Sequence, residues 1–221
     1  MESQSYIDKS DSQKNNKGGT AEIISSLSDS FEFFIFGGEK MNVFIGCSSS
    51  EKINKKYLEL TKKIASYLVK MDYNLVFGAC SKSMMGICYH EFINNGKEVT
   101  SVTPDFYQDD LINLKESKQI ITSNTITRFE TIYELSDLIV ILPGGIGTLA
   151  ELCSTIEEVR TIDSNKKVIL VNYEGFYDEI INWVKKGKEL GFVSLELDSI
   201  ISIVENFDDF KEKVGGIEWK K

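Results

Sequence analysis

The stretch Leu138-Ile139-Val140-Ile141-Leu142-Pro143-Gly144-Gly145-Ile146-Gly147-Thr148-Leu149-Ala150-Glu151 decides the fold. Its first five residues carry no polar side chain, the pattern of a parallel strand buried on both faces. Leu152 to Ile162 read as a helix. A glycine-rich turn therefore joins the end of a buried strand to the start of a helix. Glycines there admit backbone conformations closed to other residues and let a ligand approach the main chain. The N–H groups at the helix start lack intrahelical partners, and the helix dipole favours an anion before them. The reading is a phosphate or nucleotide site on Gly144, Gly145, Gly147 and Thr148.

Outward from this stretch, strands alternate with helices. Met41–Gly46 reads as a strand and Ile53–Met71 as a helix, with Tyr57, Leu60, Ile64 and Leu68 at helical spacing. Asn74–Phe77 is a short strand and Met84–Asn94 a helix. Val99–Val102 and Gln119–Thr122 are strands separated by a mixed segment around Pro104, and Thr127–Leu135 is a helix. Val168–Val171 is a further strand, Phe176–Leu190 an amphipathic helix, Ile200–Val204 a short strand and Phe207–Val214 a closing helix. This order predicts an α/β class, a doubly wound Rossmann-like parallel sheet with helices on both faces, in one domain over residues 41–221. Ligands bind such sheets beyond the carboxyl ends of the strands. Three loops of small residues, 46–50, 78–86 and 143–148, fall there.

Residues 1–30 are rich in Ser, Lys, Asn, Asp and Gln without apolar periodicity, which predicts disorder. Phe31–Phe36 is an aromatic cluster closed by Gly37-Gly38, suited to an edge strand or to packing on the domain. Residues 1–40 are thus expected to be a disordered or loosely packed extension without a catalytic role. Met41 falls where the domain begins and reads as an alternative start.

A chain of 221 residues suits one domain with a substantial core. The formal charge of −9 argues against nucleic acid or an anionic membrane as partner. No apolar run approaches the ~20 residues that span a bilayer, and no signal-peptide pattern is present. Cys47, Cys80, Cys88 and Cys153 lie in or beside core elements without metal-type spacing. Reduced thiols in a cytoplasmic protein, with no metal and no cofactor, are the expectation.

Two side chains stand out for chemistry. Thr148-x-x-Glu151 fits a capping box, in which threonine caps the helix and glutamate returns to the backbone. The glycines upstream open space for a ligand beside the same carboxylate, so Glu151 is equally placed to act on that ligand. Among 25 lysines and arginines only Arg128 and Arg160 are arginine, sixteen residues either side of Gly144. Arginine's planar fork suits bidentate recognition of phosphate or carboxylate. Arg160 reads as a favourable cation near a helix end, and Arg128 as a partner of Glu130 or Glu134 unless it serves the site. Lys82 reads as a solvated loop lysine and His90 as structural. Ser48-Ser49-Ser50 either binds ligand through hydroxyls and N–H groups or caps the next helix. No Gly-x-Ser-x-Gly elbow is present and one histidine leaves little room for a Ser-His-Asp triad, and the P-loop signature is missing.

Pro143-Gly144-Gly145-x-Gly147-Thr148-x-x-Glu151 resembles the signature of the LOG ("Lonely guy") family. Val43–Ser50, Phe77–Gly86 and Arg128 match it as well, so the resemblance runs from about Met41 to about Val193. Members are described as phosphoribohydrolases that release the base from nucleoside 5′-monophosphates, including cytokinin ribotides. The resemblance implies Arg128 and Glu151 as catalytic residues. It implies nucleotide contacts at Gly46, Ser48, Ser49, Gly78, Met85, Gly86, Gly144, Gly145, Gly147 and Thr148, and a homodimer with the pocket near the subunit interface. Related proteins on this fold bind molybdenum cofactor or signalling nucleotides, so the alternative implied is a non-catalytic carrier or sensor. The label "lysine decarboxylase-like" that many members carry lacks support, because no lysine comes with partners for a pyridoxal ring and phosphate. Two segments depart from the family. Thr125-Ile126-Thr127-Arg128-Phe129 stands where members show Met-His-Glu-Arg-Lys. Ala79, Cys80 and Ser83 replace three glycines of the second loop, each adding a Cβ where backbone or ligand approaches.

Overall fold

The structure, a computed structural model, describes residues 40–162, 166–194 and 196–217. The expected extension and its Phe31–Phe36 cluster lie outside the described residues. Among the described residues seven strands form one sheet: β1 (Asn42–Gly46), β2 (Asn74–Phe77), β3 (Val99–Pro104), β4 (Lys118–Thr122), β5 (Leu138–Ile141), β6 (Lys167–Val171) and β7 (Ser202–Val204). Their order is β4-β3-β2-β1-β5-β6-β7, and every pairing is parallel. The helices are α1 (Lys55–Lys70), α2 (Ser83–Asn94), α3 (Thr125–Leu135), α4 (Ile146–Thr161), α5 (Asp178–Glu189), the single turn α6 (Leu197–Ile200) and α7 (Phe207–Gly215). The mixed segment around Pro104 is the end of β3 followed by 3-10 turns over Asp105–Asn113. The α/β doubly wound expectation holds.

Strand alternation divides the core between the two faces. Val43 and Ile45 of β1, with Leu138 and Val140 of β5, join Leu60, Ile64 and Leu68 of α1 and Phe92 of α2. Phe44, Ile139 and Ile141 point the other way, against Ile132 of α3, Leu152 of α4 and Ile181 of α5. Full burial of one such side chain contributes about 1.5–3 kcal/mol. The expected strand Ile200–Val204 is divided between the end of α6 and β7. Trp183, on α5, is exposed. Among the described residues no helix is long and apolar enough to cross a membrane.

The sheet reverses direction of growth between β1 and β5, which places the switch point of a doubly wound sheet at their carboxyl ends. Gly46 pairs with Ile141 there, and the Leu142 N–H donates to the Gly46 carbonyl at 2.8 Å as the two chains part. The loops after β1 and β5 are therefore forced apart around a crevice, and the loop after β2 flanks it.

Candidate active site

A cleft of about 700 Å³ opens at this switch point, lined from all three loops and from α3 and α4. Arg128 enters it from α3. The Asn124 side chain starts this helix by accepting from the Ile126 and Thr127 N–H groups at 2.9 and 3.0 Å, which sets Arg128 in its first turn. Its Nε donates to the Val102 carbonyl of β3 at 3.2 Å, and its Nη2 donates to Glu151 Oε1 at 2.8 Å. Gly78, the residue after β2, lies directly beneath: a Cβ there would overlap Nη2. Glu151 descends from α4 to Gly46, where a Cβ would stand 2.9 Å from Oε2. Two glycines at strand ends thus let a guanidinium and a carboxylate rest on bare backbone.

Both charges are nearly buried, with side chains 12% and 9% exposed. Burial raises the Glu151 carboxyl above its usual range, and the Arg128 charge and hydrogen bond counter part of that rise. Cys47, on the cleft floor, is pushed well up by its hydrogen bond with Cys88, by burial and by the charge of Glu151. Arg128 therefore serves Glu151 rather than Glu130 or Glu134.

The capping-box reading of Glu151 is overturned. Helix α4 begins at Ile146 with Gly145 as its cap, six residues earlier than the Leu152 expected, so Thr148 and Glu151 both lie inside it. Glycines suppress the helical pattern in sequence, which is why the start was misplaced. The first intrahelical bond runs from the Leu149 N–H to the Gly145 carbonyl at 3.0 Å. The N–H groups of Ile146, Gly147 and Thr148 precede it at the cleft wall. A Cβ at Gly145 or Gly147 would meet nothing within 4 Å. Neither has a positive φ, so no contact or strain within the chain demands glycine at either position. What they leave open is the cleft.

Ser48, Ser49, Gly78, Met85, Gly145, Gly147 and Thr148 all line the cleft with Arg128 and Glu151. Gly46 lies beneath Glu151 and is not among the residues that line the cleft. Two further expected contacts lie elsewhere. A Cβ on Gly86 would overlap the Ser81 carbonyl, so this glycine packs α2 against its own loop. Gly144 faces the Thr148 side chain for the same reason. The three serines do not cap α1, because Asn54 does so through Lys56. Lys82 is exposed, 3.8 Å from Glu51, and Arg160 forms an exposed pair with Glu157 at 2.6 Å. His90 is exposed on α2, outside the cleft.

Ala79 and Ser83, two of the substituted glycine positions, keep left-handed backbone with φ of 62° and 53°. Each carries about 1–2 kcal/mol of strain that glycine would lack. Ser83 gains a tie in exchange, its hydroxyl donating to the Ser50 carbonyl at 2.6 Å and joining the first two loops. Sequence reasoning missed the wall opposite α4, where Thr103, Tyr107 and Asp110 face the cleft. Its one signal was the aromatic pair Phe106-Tyr107 in a polar segment, both more than half exposed.

No lysine lines the cleft among the described residues, so it offers no Schiff-base nucleophile for pyridoxal chemistry. This bears on the family model that matches residues 85–214, whose description is "possible lysine decarboxylase". A cytokinin riboside 5′-monophosphate phosphoribohydrolase of Arabidopsis thaliana is 30% identical over 165 residues, 74% of this chain and 76% of the relative. A second from the same plant is 26% identical over 200 residues, covering 83% and 89%. Among solved structures, the molybdenum cofactor carrier protein of Chlamydomonas reinhardtii aligns with a TM-score of 0.56 at 16% identity, over 80% of this chain and 96% of that one. The molybdenum cofactor binding protein of Rippkaea orientalis gives 0.58 at 15% identity, over 81% and 98%. The solved structures establish a shared fold. The family model spans more than half of the chain, and with the plant enzymes' similarity over three quarters of their length it establishes that the chain belongs to the LOG family.

Proposed function

We propose that the protein hydrolyses the N-glycosidic bond of a nucleoside 5′-monophosphate of AMP or cytokinin riboside type, releasing free base and ribose 5-phosphate. The observation that carries this reading is the Arg128–Glu151 pair, 2.8 Å apart, beside an open helix start. The 5′-phosphate would sit on the N–H groups of Ile146, Gly147 and Thr148, at the positive end of α4. As the C1′–N bond breaks, its electron pair leaves with the base and positive charge develops on the ribose. Glu151 is placed to stabilise that cation, to orient the ribose hydroxyls or to take a proton from the attacking water. The water oxygen bonds to C1′ and one of its protons ends on the base nitrogen. Arg128 favours the charged form of Glu151 against burial and offers charge to the departing base.

The test is incubation with AMP and with isopentenyl-AMP, following base and ribose 5-phosphate by chromatography. Release that falls on the order of 10²-fold or more in Glu151→Gln supports the hydrolase. Tight nucleotide binding without release supports the second reading, a carrier or sensor. The strained Ala79 in place of glycine favours that reading, because it alters the wall where a substrate must move.

The homodimer belongs to the same proposal. An apolar groove between α3 and α4 is lined by Ile126, Phe129, Ile132 and Cys153 and also reaches Glu151, and Ile126 is 68% exposed. A second copy covering it would bring the subunit interface beside the catalytic pair. Ile126→Asp should then convert dimer to monomer in sedimentation.

A further inference from the structure

The glycine turn is held from behind by a phenol. Tyr177 lies between β6 and α5 and is 3% exposed. Its hydroxyl donates to the Leu142 carbonyl at 2.7 Å, just before the turn. The next residue, Pro143, has no N–H to offer, so the phenol ties down the last carbonyl before a position that cannot donate.

Tyr177 is itself fixed from two sides. Its N–H donates to Asn172 Oδ1 at 2.7 Å. Asn172, buried at the end of β6, donates its backbone N–H to the Val204 carbonyl of β7 at 2.8 Å. Its Nδ2 donates to Asp178 Oδ1 at 2.8 Å and to Glu205 at 3.2 Å. The phenol ring packs edge-on against Phe176 with centroids 4.9 Å apart. Hydrogen bonds therefore run from β7 through Asn172 and Tyr177 to the turn after β5, across three adjacent strand ends. Burial, with the negative charge of Glu151 nearby, raises the phenol above its usual range, so it stays a donor throughout neutral pH.

We propose that Tyr177 is a positioning residue for the anion site: its hydroxyl fixes the Leu142 carbonyl at the entrance to the turn so that the N–H groups of Ile146, Gly147 and Thr148 face the cleft before ligand arrives. The inference rests on the nucleotide reading above. Tyr177 does not line the cleft, so it acts only through the backbone it holds. Donors fixed in advance cost no reorganisation when charge arrives, whereas a loosened turn must be ordered by the ligand.

Tyr177→Phe keeps the ring and removes the hydroxyl. Thr61→Val is the comparator: Thr61 is fully buried on α1 and its hydroxyl donates to the Tyr57 carbonyl at 2.7 Å, away from the cleft. Both variants should lower the urea midpoint. Only Tyr177→Phe should weaken AMP binding by calorimetry, by about tenfold, with KM rising in step and kcat within about twofold of wild type. Equal weakening in both variants, or wild-type affinity in Tyr177→Phe, would overturn this inference alone. A wild-type protein without affinity for AMP would overturn the nucleotide reading and this inference with it.

Discussion

Glu151 is a carboxylate whose environment pulls in two directions. Burial favours its neutral form, Arg128 favours the charged form, and burial wins, so its folded titration lies above the usual 4.5. Between those two values the folded state binds more protons than the unfolded chain, so stability falls as pH rises. The contribution from Glu151 is complete below 4.5 and lost through the folded titration. Each tenfold difference in proton affinity corresponds to about 1.4 kcal/mol. Urea midpoints of wild type and Glu151→Gln, measured from pH 4 to pH 8, should show the wild-type advantage shrinking with rising pH. A wild-type advantage growing with pH would mean that the ion pair outweighs burial. Gly78 offers a second test at this scale. Its missing side chain makes room for the guanidinium, so Gly78→Ala must push Arg128 off Glu151. Turnover should fall on the order of 10²-fold while far-UV circular dichroism stays unchanged.

The start of α4 lets anion binding be separated from folding. Gly145 caps the helix in extended backbone, φ −89° and ψ −159°, without a side-chain bond to the helix. Any residue can adopt that conformation, and Asp is among the best caps. Gly145→Asp should therefore leave the melting temperature unchanged or slightly raised. The same carboxylate would occupy the place proposed for phosphate, so AMP affinity should fall more than tenfold by calorimetry. Loss of folding together with affinity would show instead that glycine serves the backbone. The elements themselves were legible in the sequence wherever burial on both faces left an unbroken apolar run, as at Leu138–Leu142, or where apolar residues recurred at helical spacing, as along α1. Helix starts were less so. Ile146-Gly147 is helical although glycine weakens the pattern, because the end of β5 and the bond from Tyr177 to Leu142 fix where the turn stands, and local propensity carries no trace of that. The 3-10 wall over Asp105–Asn113 was hidden for a similar reason: its Tyr107 and Asp110 face the cleft by position in the fold, with no periodic pattern to reveal them.

At the scale of the molecule, the signature pointed to Glu151 because strand, turn and helix are contiguous in sequence, whereas Arg128 came from the rarity of arginine in the chain and from the family resemblance. What it withheld was the convergence of β1, β2 and β3 ends beneath that pair, contacts between residues 23 to 105 positions apart. The four free thiols sample that arrangement at four depths. Cys47 and Cys88 are buried against each other, on the cleft floor and behind it. Cys80 is half-buried in the cleft wall, and Cys153 is exposed in the apolar groove between α3 and α4. Burial in apolar surroundings holds a thiol in its unreactive form, and exposure governs access to the rest. Timed reaction with an aromatic disulfide reagent should therefore label Cys153 and Cys80 in the native protein, and Cys47 and Cys88 only after denaturation. Saturating AMP should slow Cys80 at least several-fold, because ligand and reagent compete for one cleft. Cys153 reports a different event. In the proposed homodimer its labelling should be slow and should accelerate in Ile126→Asp, with AMP having little effect on either rate. If AMP protected Cys153 while leaving Cys80 open, the ligand would belong in the apolar groove, and the glycine turn would lose its assignment as the phosphate seat.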